Sequence, residues 1–332
     1  AVYACGGRLS ADCEREKAKF GGTYAQTIGG DIIVDCIFGT GLSREVTGEY
    51  ADVINAINAS GAYVISADIP SGMSGDGGVK LGTAVRADKT VTIGELKTGF
   101  ALGDGYDLCG AIVKKDIGIC LNEGGYACMY GDEDIAKLFP PRPRNSHKGT
   151  FGTATLICGS RQYTGSAVLA VAAALKSGCG YVKAVCPDEV KAAIAPNYPQ
   201  TVFSVQRDLS SRAIAIGMGC GASQSLHGDI ESLLNEYSGT LIIDADGLNS
   251  LAQYGVEILK NKKCGVVLTP HVKEFSRISG RSIAEILANP VSVAKQFAAE
   301  YGVTVVLKSA GTVITDGQNT VINTRGCSAL AK

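Results

Sequence analysis

The sequence carries almost no net charge: 31 Lys and Arg stand against 32 Asp and Glu, a formal balance of −1, and lysine or arginine runs are missing. The basic footprint of a nucleic-acid or anionic-membrane partner is therefore absent. Nor does any stretch reach the roughly 18 uncharged apolar residues of a membrane-crossing helix, and no basic-then-apolar leader opens the chain. These gaps lead to the expectation of a cytosolic protein with no nucleic acid and no membrane as partner. Cysteine is plentiful, at 12 residues, but no CxxC occurs, and Cys36, Cys158, Cys186 and Cys264 lie in or beside apolar runs. Reduced, buried thiols are expected rather than disulfides or a metal cluster. The three histidines are far apart in the chain, which argues against a His-based transition-metal site.

What is present suits a soluble globular protein: 45% hydrophobic and 19% charged residues, with 43 glycines for tight turns. At 332 residues, two domains are the default. The most informative stretch is residues 240–275, TLIIDADGLNSLAQYGVEILKNKKCGVVLTPHVKEF. Leu241, Ile242 and Ile243, then Val266, Val267 and Leu268, form short apolar runs bounded by turn residues, the pattern of strands buried on both faces of a parallel sheet. Ligands of open α/β sheets bind outside the carboxyl ends of the strands. Asp244, Asp246 and Asn249 after one run would then face Thr269, His271 and Glu274 after the other. The competing reading has Asp244 and Asp246 capping the next helix and His271 as a satisfied loop histidine.

Earlier in the chain, a helix is expected over 10–20 and a strand over 31–38. That strand runs into a loop of Gly39, Thr40, Gly41, Leu42, Ser43 and Arg44, with a helix over 50–59 behind it. Strand, glycine turn and helix is a layout that cradles phosphate, although glycines in such turns also serve sterics alone. A strand over 63–67 ends in Asp68, Pro70 and Ser71. With Asp35, these acids and the hydroxyl would share one sheet edge, suited to a hard cation or a ribose, unless Asp68 and Ser71 simply order a Pro-Ser-Gly turn. Strands over 90–93 and 111–116 complete the layer.

VDCIFGTGLSR, ADIPSGM, AVRADKTVTIGELKTG and IVKKDIGI, in this order and spacing, resemble the later two thirds of the epimerase domain of bifunctional NAD(P)H-hydrate repair enzymes. The resemblance implies that Gly39 to Arg44 and Asp68 contact the hydrated nucleotide, with Asp68 as the epimerase catalytic residue, and that Asp35 and Ser71 bind K+. The family's NNGGDG loop would precede residue 1, and its Lys-Pro-Gly reads Lys97, Thr98, Gly99 here. With Ala1 in place of a methionine, a partial sequence is expected.

A proline-rich run, Pro140, Pro141, Arg142, Pro143, marks a boundary. Beyond it a strand over 154–158, a nearly uncharged helix over 165–176, a strand over 213–216 ending in GMGCG, and a strand over 304–307 ending in Lys308 are expected. SHKGTFG, GSRQYTGSAVLAVAAALKSGCG, IGMGCG, IIDADGLN, LTPHVKEF and LKSAGT are together similar to the ribokinase-like dehydratase half of the same bifunctional enzymes. The resemblance implies an α/β fold of two three-layer αβα domains. An incomplete Rossmann-like epimerase domain would span 1–125, a linker 126–147, and a ribokinase-like dehydratase domain 148–332.

It further implies that NADHX or NADPHX is the substrate and contacts Ser166, Gly219, Gly221 and His271. Lys308, Ser309, Ala310, Gly311 and Thr312 would hold ADP or ATP. Asp246, Asn249 and Glu274 would line the polar floor and a Mg2+ shell, in a homo-oligomer. Phosphorylation of the hydrate's hydroxyl followed by loss of phosphate would restore the ring; Lys308 read alone is equally a solvated strand-end cation. The family's Gly-Gly-Ser-Gly-Asp motif, which carries the dehydratase base, would follow residue 332, so impaired activity is expected of this chain. A ribokinase-like kinase of a vitamin precursor or sugar, and a non-catalytic nucleotide-binding protein, are the alternatives.

Overall fold

A computed structural model describes residues 1–6, 10–118, 127–139, 141–327 and 329. The expected domain boundary at residue 125, Pro140 of the proline run, and Ser328, Leu330, Ala331 and Lys332 at the chain end lie outside them. The chain divides into two units, Ala1–Gly124 and Gly125–Lys332.

In the first unit, Ser10 caps α1 (Ala11–Lys19), its hydroxyl accepting from the Cys13 N–H. Four parallel strands then lie in chain order: β1 (Ile32–Asp35), β2 (Tyr63–Ala67), β3 (Lys89–Ile93) and β4 (Ala111–Lys115). Between the first two runs α2 (Glu49–Ala59), which buries Val53, Ile54 and Ile57 against Val46, Val64 and Val85. The short α3 (Gly105–Leu108) precedes β4. Because all four strands point one way, their carboxyl ends, and the loops after Asp35, Ala67 and Ile93, share one edge. On one face of the sheet Ile32, Val34, Tyr63, Ile93 and Val113 remain exposed.

The second unit contains β5 (Ala127–Met129), α4 (Asp132–Leu138), β6 (Thr153–Ile157), α5 (Thr164–Lys176), β7 (Tyr181–Val185), α6 (Asp188–Ile194), β8 (Val202–Phe203) and β9 (Ala213–Ile216). These are followed by α7 (Gln224–Glu236), β10 (Thr240–Ile243), α8 (Asp246–Tyr254), β11 (Gly265–Leu268), α9 (Val272–Ser279), α10 (Ile283–Ala288), α11 (Pro290–Tyr301), β12 (Thr304–Leu307), β13 (Thr312–Thr315) and β14 (Thr320–Asn323). The strands form one ten-stranded sheet in the order β5-β14-β13-β12-β11-β10-β9-β6-β7-β8. From β12 through β8 every pairing is parallel; β13 pairs antiparallel with β12 and β14.

Alternating side chains of the central strands, Ile214 and Ile216, Leu241 and Ile243, Val266 and Leu268, and Val305 and Leu307, are buried. Each such side chain removed from water stabilises the fold by about 1.5–3 kcal/mol. The helices contribute matching stripes. Leu226, Ile230, Leu233 and Leu234 of α7 recur at i, i+4, i+7 and i+8 and are buried. The nearly uncharged α5 buries Ala167 and Val171 against Cys158, Val182 and Val190. The fold is thus α/β with parallel sheets, and no described helix is long and apolar enough to cross a membrane.

Candidate functional site

Parallel register makes the second unit's site. Ile157, Ile216, Ile243 and Leu268 stand in one row across β6, β9, β10 and β11, with Val305 of β12 beside Leu268. The residues that follow them therefore line one edge. Behind β9, Gly217 turns at φ +113°, and a Cβ there would lie 2.2 Å from the Asp244 carbonyl oxygen, so only glycine lets this loop pass the end of β10. Gly219, at φ +70°, abuts Ser166: a Cβ would lie 2.0 Å from its hydroxyl oxygen. That hydroxyl lies 2.7 Å from the Tyr163 carbonyl and 3.3 Å from the Met218 carbonyl, holding the start of α5 to the glycine loop.

Behind β10, Ala245 takes φ +48°, a conformation that costs a non-glycine residue about 1–3 kcal/mol. The turn sends Asp246 into the first position of α8, where its carboxylate accepts from the Gly221 N–H at 2.8 Å. Asn249 lies 3.5 Å from Asp246 Oδ1 and accepts from Arg277 at 2.7 Å. Ser166, Gly219, Gly221, Asp246 and Asn249 are thereby brought together.

His271 caps α9 rather than projecting freely. Its Nδ1 accepts from the N–H groups of Lys273 at 3.1 Å and Glu274 at 3.2 Å, which leaves the ring hydrogen on Nε2. The buried Glu274 closes the box: Oε2 accepts from the His271 N–H at 2.9 Å, and Oε1 lies 3.4 Å from Nε2. His271 is thus satisfied, as the competing reading has it, though by capping α9, whereas the cap position of α8 is Ala245 and not Asp244 or Asp246. Lys308 follows β12; its N–H donates to the Pro270 carbonyl at 2.8 Å, and its Nζ reaches Asp244 Oδ1 at 3.0 Å. Ser309, Ala310 and Gly311 form the turn into β13, which begins at Thr312; Ser309 donates to Gly311 O at 2.7 Å and Thr312 to Ser309 O at 3.2 Å.

The buried hydroxyl of Thr269 has no hydrogen-bond partner. Its oxygen, like the carboxylates of Asp244 and Asp246 behind the neighbouring β10, is a hard donor of the type a magnesium ion accepts. Among the described residues no three of His, Cys, Asp and Glu gather into a metal cage. Burial pushes the Cys158 thiol up to about 12 and that of Cys220, in the glycine loop, to about 11, so both stay neutral.

In the first unit Asp35 is buried at the end of β1. Oδ1 accepts from the Ser71 hydroxyl at 2.6 Å and the Ile37 N–H at 3.2 Å; Oδ2 accepts from the Ser66 hydroxyl at 2.8 Å and the Ser71 N–H at 2.9 Å. The Phe38 carbonyl lies 3.3 Å from the Ser71 hydroxyl. Carboxylate, hydroxyl and carbonyl are hard oxygen donors, fitting in type an alkali cation.

Asp68 takes φ +69° and is ion-paired with Lys97, both side chains mostly buried; Oδ1 also accepts from the Ile93 N–H at 3.1 Å. Lys97 donates further to Thr92 at 2.8 Å and to Ile93 O at 3.0 Å. Lys97 and Arg277 are the members that sequence reasoning missed; the only signal was a lysine four residues behind a strand end.

The 39–44 loop differs from the expected cradle. Residues 45–48 separate it from α2, which starts at Glu49 behind Gly48. Val46 is buried in the core, and its N–H donates to Leu81 O at 2.8 Å, so the chain is drawn inward before the helix begins. Thr40 instead lies beside Gly75 and Lys97: a Cβ at Gly75 would be 3.7 Å from Thr40 Cγ2 and 3.8 Å from Lys97 Cγ.

A family model described as NAD(P)H-hydrate dehydratase matches residues 154–332, and one described as YjeF-related protein N-terminus matches 1–99. The bifunctional NAD(P)H-hydrate repair enzyme of Thermofilum pendens is 36% identical over 322 residues, covering 91% of this chain and 61% of the relative. The chain thus spans about three fifths of that relative's length. The crystal structure of the ADP/ATP-dependent NAD(P)H-hydrate dehydratase of Bacillus subtilis, co-crystallized with ATP/Mg2+, matches with a TM-score of 0.56 and 30% identity, covering 62% of this chain and 76% of that one. A ribokinase-like superfamily protein of Enterococcus faecalis shares the fold, with a TM-score of 0.55 at 24% identity, over 64% of this chain and 77% of its own.

Proposed function

Since the chain belongs to the NAD(P)H-hydrate dehydratase family, carrying in addition a YjeF-type N-terminal region, we propose that it repairs hydrated NADH and NADPH: the first unit interconverts the R and S hydrates, and the second dehydrates the S hydrate at the expense of ADP or ATP. The observation that carries the reading is that Asp244, Asp246, His271 and Lys308 follow neighbouring strands of one parallel sheet, at the edge where α/β proteins take their ligands.

In the second unit Lys308 and the backbone of the turn through Ser309, Ala310, Gly311 and Thr312 hold the nucleotide's phosphates. The hydrated ring lies against Ser166, Gly219 and Gly221, with the Nε2–H of His271 available as a donor. Asp246 fixes the glycine loop through Gly221, and Asn249 and Glu274 hold the surrounding floor. Asp244, Asp246 and Thr269 would meet a magnesium ion brought in with the nucleotide, which would supply charge neutralisation for phosphoryl transfer. Transfer of the terminal phosphoryl group replaces the proton of the ring hydroxyl and leaves AMP or ADP; departure of the new phosphate ester as inorganic phosphate, together with a proton from the neighbouring ring carbon, restores the double bond. Phosphoryl transfer asks mainly for this positioning and electrostatics, which a rigid strand-end row provides.

In the first unit Asp68 and Lys97 form the proton-handling pair for epimerisation, beside the 39–44 loop that takes the nucleotide. Asp35 and Ser71, with the Phe38 carbonyl, would hold a potassium ion, whose charge would order the loop behind β1. Calorimetric titration of the 332-residue chain with the hydrate and with Mg·ADP tests the whole reading, alongside recovery of nicotinamide absorbance when both are present. Binding of both ligands is expected. Failure to bind either, or phosphorylation of a stable sugar or vitamin precursor in their place, would overturn it.

A further inference from the structure

We propose that Asp244 is the counter-ion that Lys308 gives up when nucleotide phosphates arrive, and that the freed carboxylate then meets the magnesium ion travelling with them. The proposal rests on reading Lys308 as the phosphate-binding lysine.

Asp244 and Lys308 belong to strands that are not neighbours, since β11 lies between β10 and β12. The backbone of Lys308 is fixed beside β11 by its bond to Pro270 and its bridge with His271, yet its ammonium reaches past the end of that strand to Asp244 at 3.0 Å. The link therefore crosses the strand end that carries Thr269, whose buried hydroxyl is unpartnered. In register, Asp244 and Thr269 follow the paired residues Ile243 and Leu268. A carboxylate, an orphan hydroxyl and an ammonium thus occupy three successive strand ends.

The side chains of the pair are 44% and 28% exposed, against 16% and 23% for Lys97 and Asp68. A half-exposed pair is worth little and is easily exchanged for a better partner, and a polyphosphate offers Lys308 more negative charge than one carboxylate. The orphan hydroxyl is the group left waiting: a buried donor without a partner is unfavourable until something supplies one. Magnesium is characteristically held by one or two carboxylates plus substrate phosphates rather than by a protein cage. Asp244 supplies such a carboxylate only once it is released from Lys308, whereas Asp246, beyond the left-handed Ala245, is already bonded to the Gly221 N–H.

The test is calorimetry of wild type and Asp244→Asn with ADP, in chelator and in magnesium. Freed from its competitor, Lys308 in the variant is expected to bind metal-free ADP about threefold more tightly, while the gain in affinity on adding magnesium falls about tenfold. Asp244→Glu, which keeps the charge, should restore the magnesium gain. Should Asp244→Asn fold poorly, Asp244→Ser, which also removes the charge, carries the same comparison: metal-free ADP must bind it more tightly than wild type, and the magnesium gain must fall. Equal metal-free affinity in variant and wild type, or an undiminished magnesium gain, overturns the proposal. A wild type that binds ADP under neither condition overturns the phosphate reading of Lys308 itself, and the proposal with it.

Discussion

The two units solve the same local problem with opposite exposure. Each carries acids at the carboxyl edge of a parallel sheet, and each sends one non-glycine residue through the left-handed region there, Asp68 at φ +69° and Ala245 at φ +48°. In the first unit the acids are closed in: Asp35 is 1% exposed with both oxygens doubly bonded, and Asp68 is locked to Lys97. In the second, Asp244, Lys308 and His271 stand partly in solvent. A closed-in acid such as Asp35 serves the fold as well as any ligand, so its removal disturbs the fold itself. Acids held by a half-exposed lysine are available to a ligand.

That contrast is breakable. The largest effect is expected from Asp35→Ala, which strands four donors in a buried site and should cost about 3–5 kcal/mol; differential scanning calorimetry should show a lowered transition for the first unit with Mg·ADP affinity kept. An unchanged melting profile would remove the distinction between the edges. Next, Lys97→Met should slow interconversion of the hydrate epimers about 100-fold, followed by chromatography, with the protein still folded. Wild-type interconversion would reduce Lys97 to a structural ion pair.

Gly219→Ala comes third, at about 1–2 kcal/mol of stability, because its methyl would meet the Ser166 hydroxyl at 2.0 Å in a positive-φ position. Adding Ser166→Ala should recover part of that loss in thermal melts, since the hydroxyl is the first atom met. The smallest effect is on pH dependence. Burial raises the Cys158 thiol from 9.0 to about 12, so its neutral form favours the fold. This contribution is complete below pH 9.0 and is lost as pH rises toward about 12, a decline that Cys158→Ala should flatten in melts taken across that range.

Much of the fold was legible because buried parallel strands are short β-branched runs. Residues 63–67, 213–216 and 304–307 form strands as read. The first strand was read too long: it ends at Asp35, where the carboxylate bonds the Ile37 N–H, and the apolar residues behind it continue as loop. Strand-end acids could be read because their position depends only on where a run stops. Partners were not legible, since Lys97 reaches Asp68 across 29 residues and Lys308 reaches Asp244 across 64, distances that no local pattern encodes. His271 shows a further limit: its letter suggests chemistry, while its Nδ1 is occupied in capping α9.

The claim on which the account turns is that Lys308 marks a nucleotide-phosphate site at the edge of the second unit's sheet. Titrating Mg·ADP into wild type and Lys308→Met tests it most directly. Loss of one charge-assisted phosphate contact predicts affinity lower by about 10- to 100-fold in the variant; equal affinity in the two proteins would contradict it.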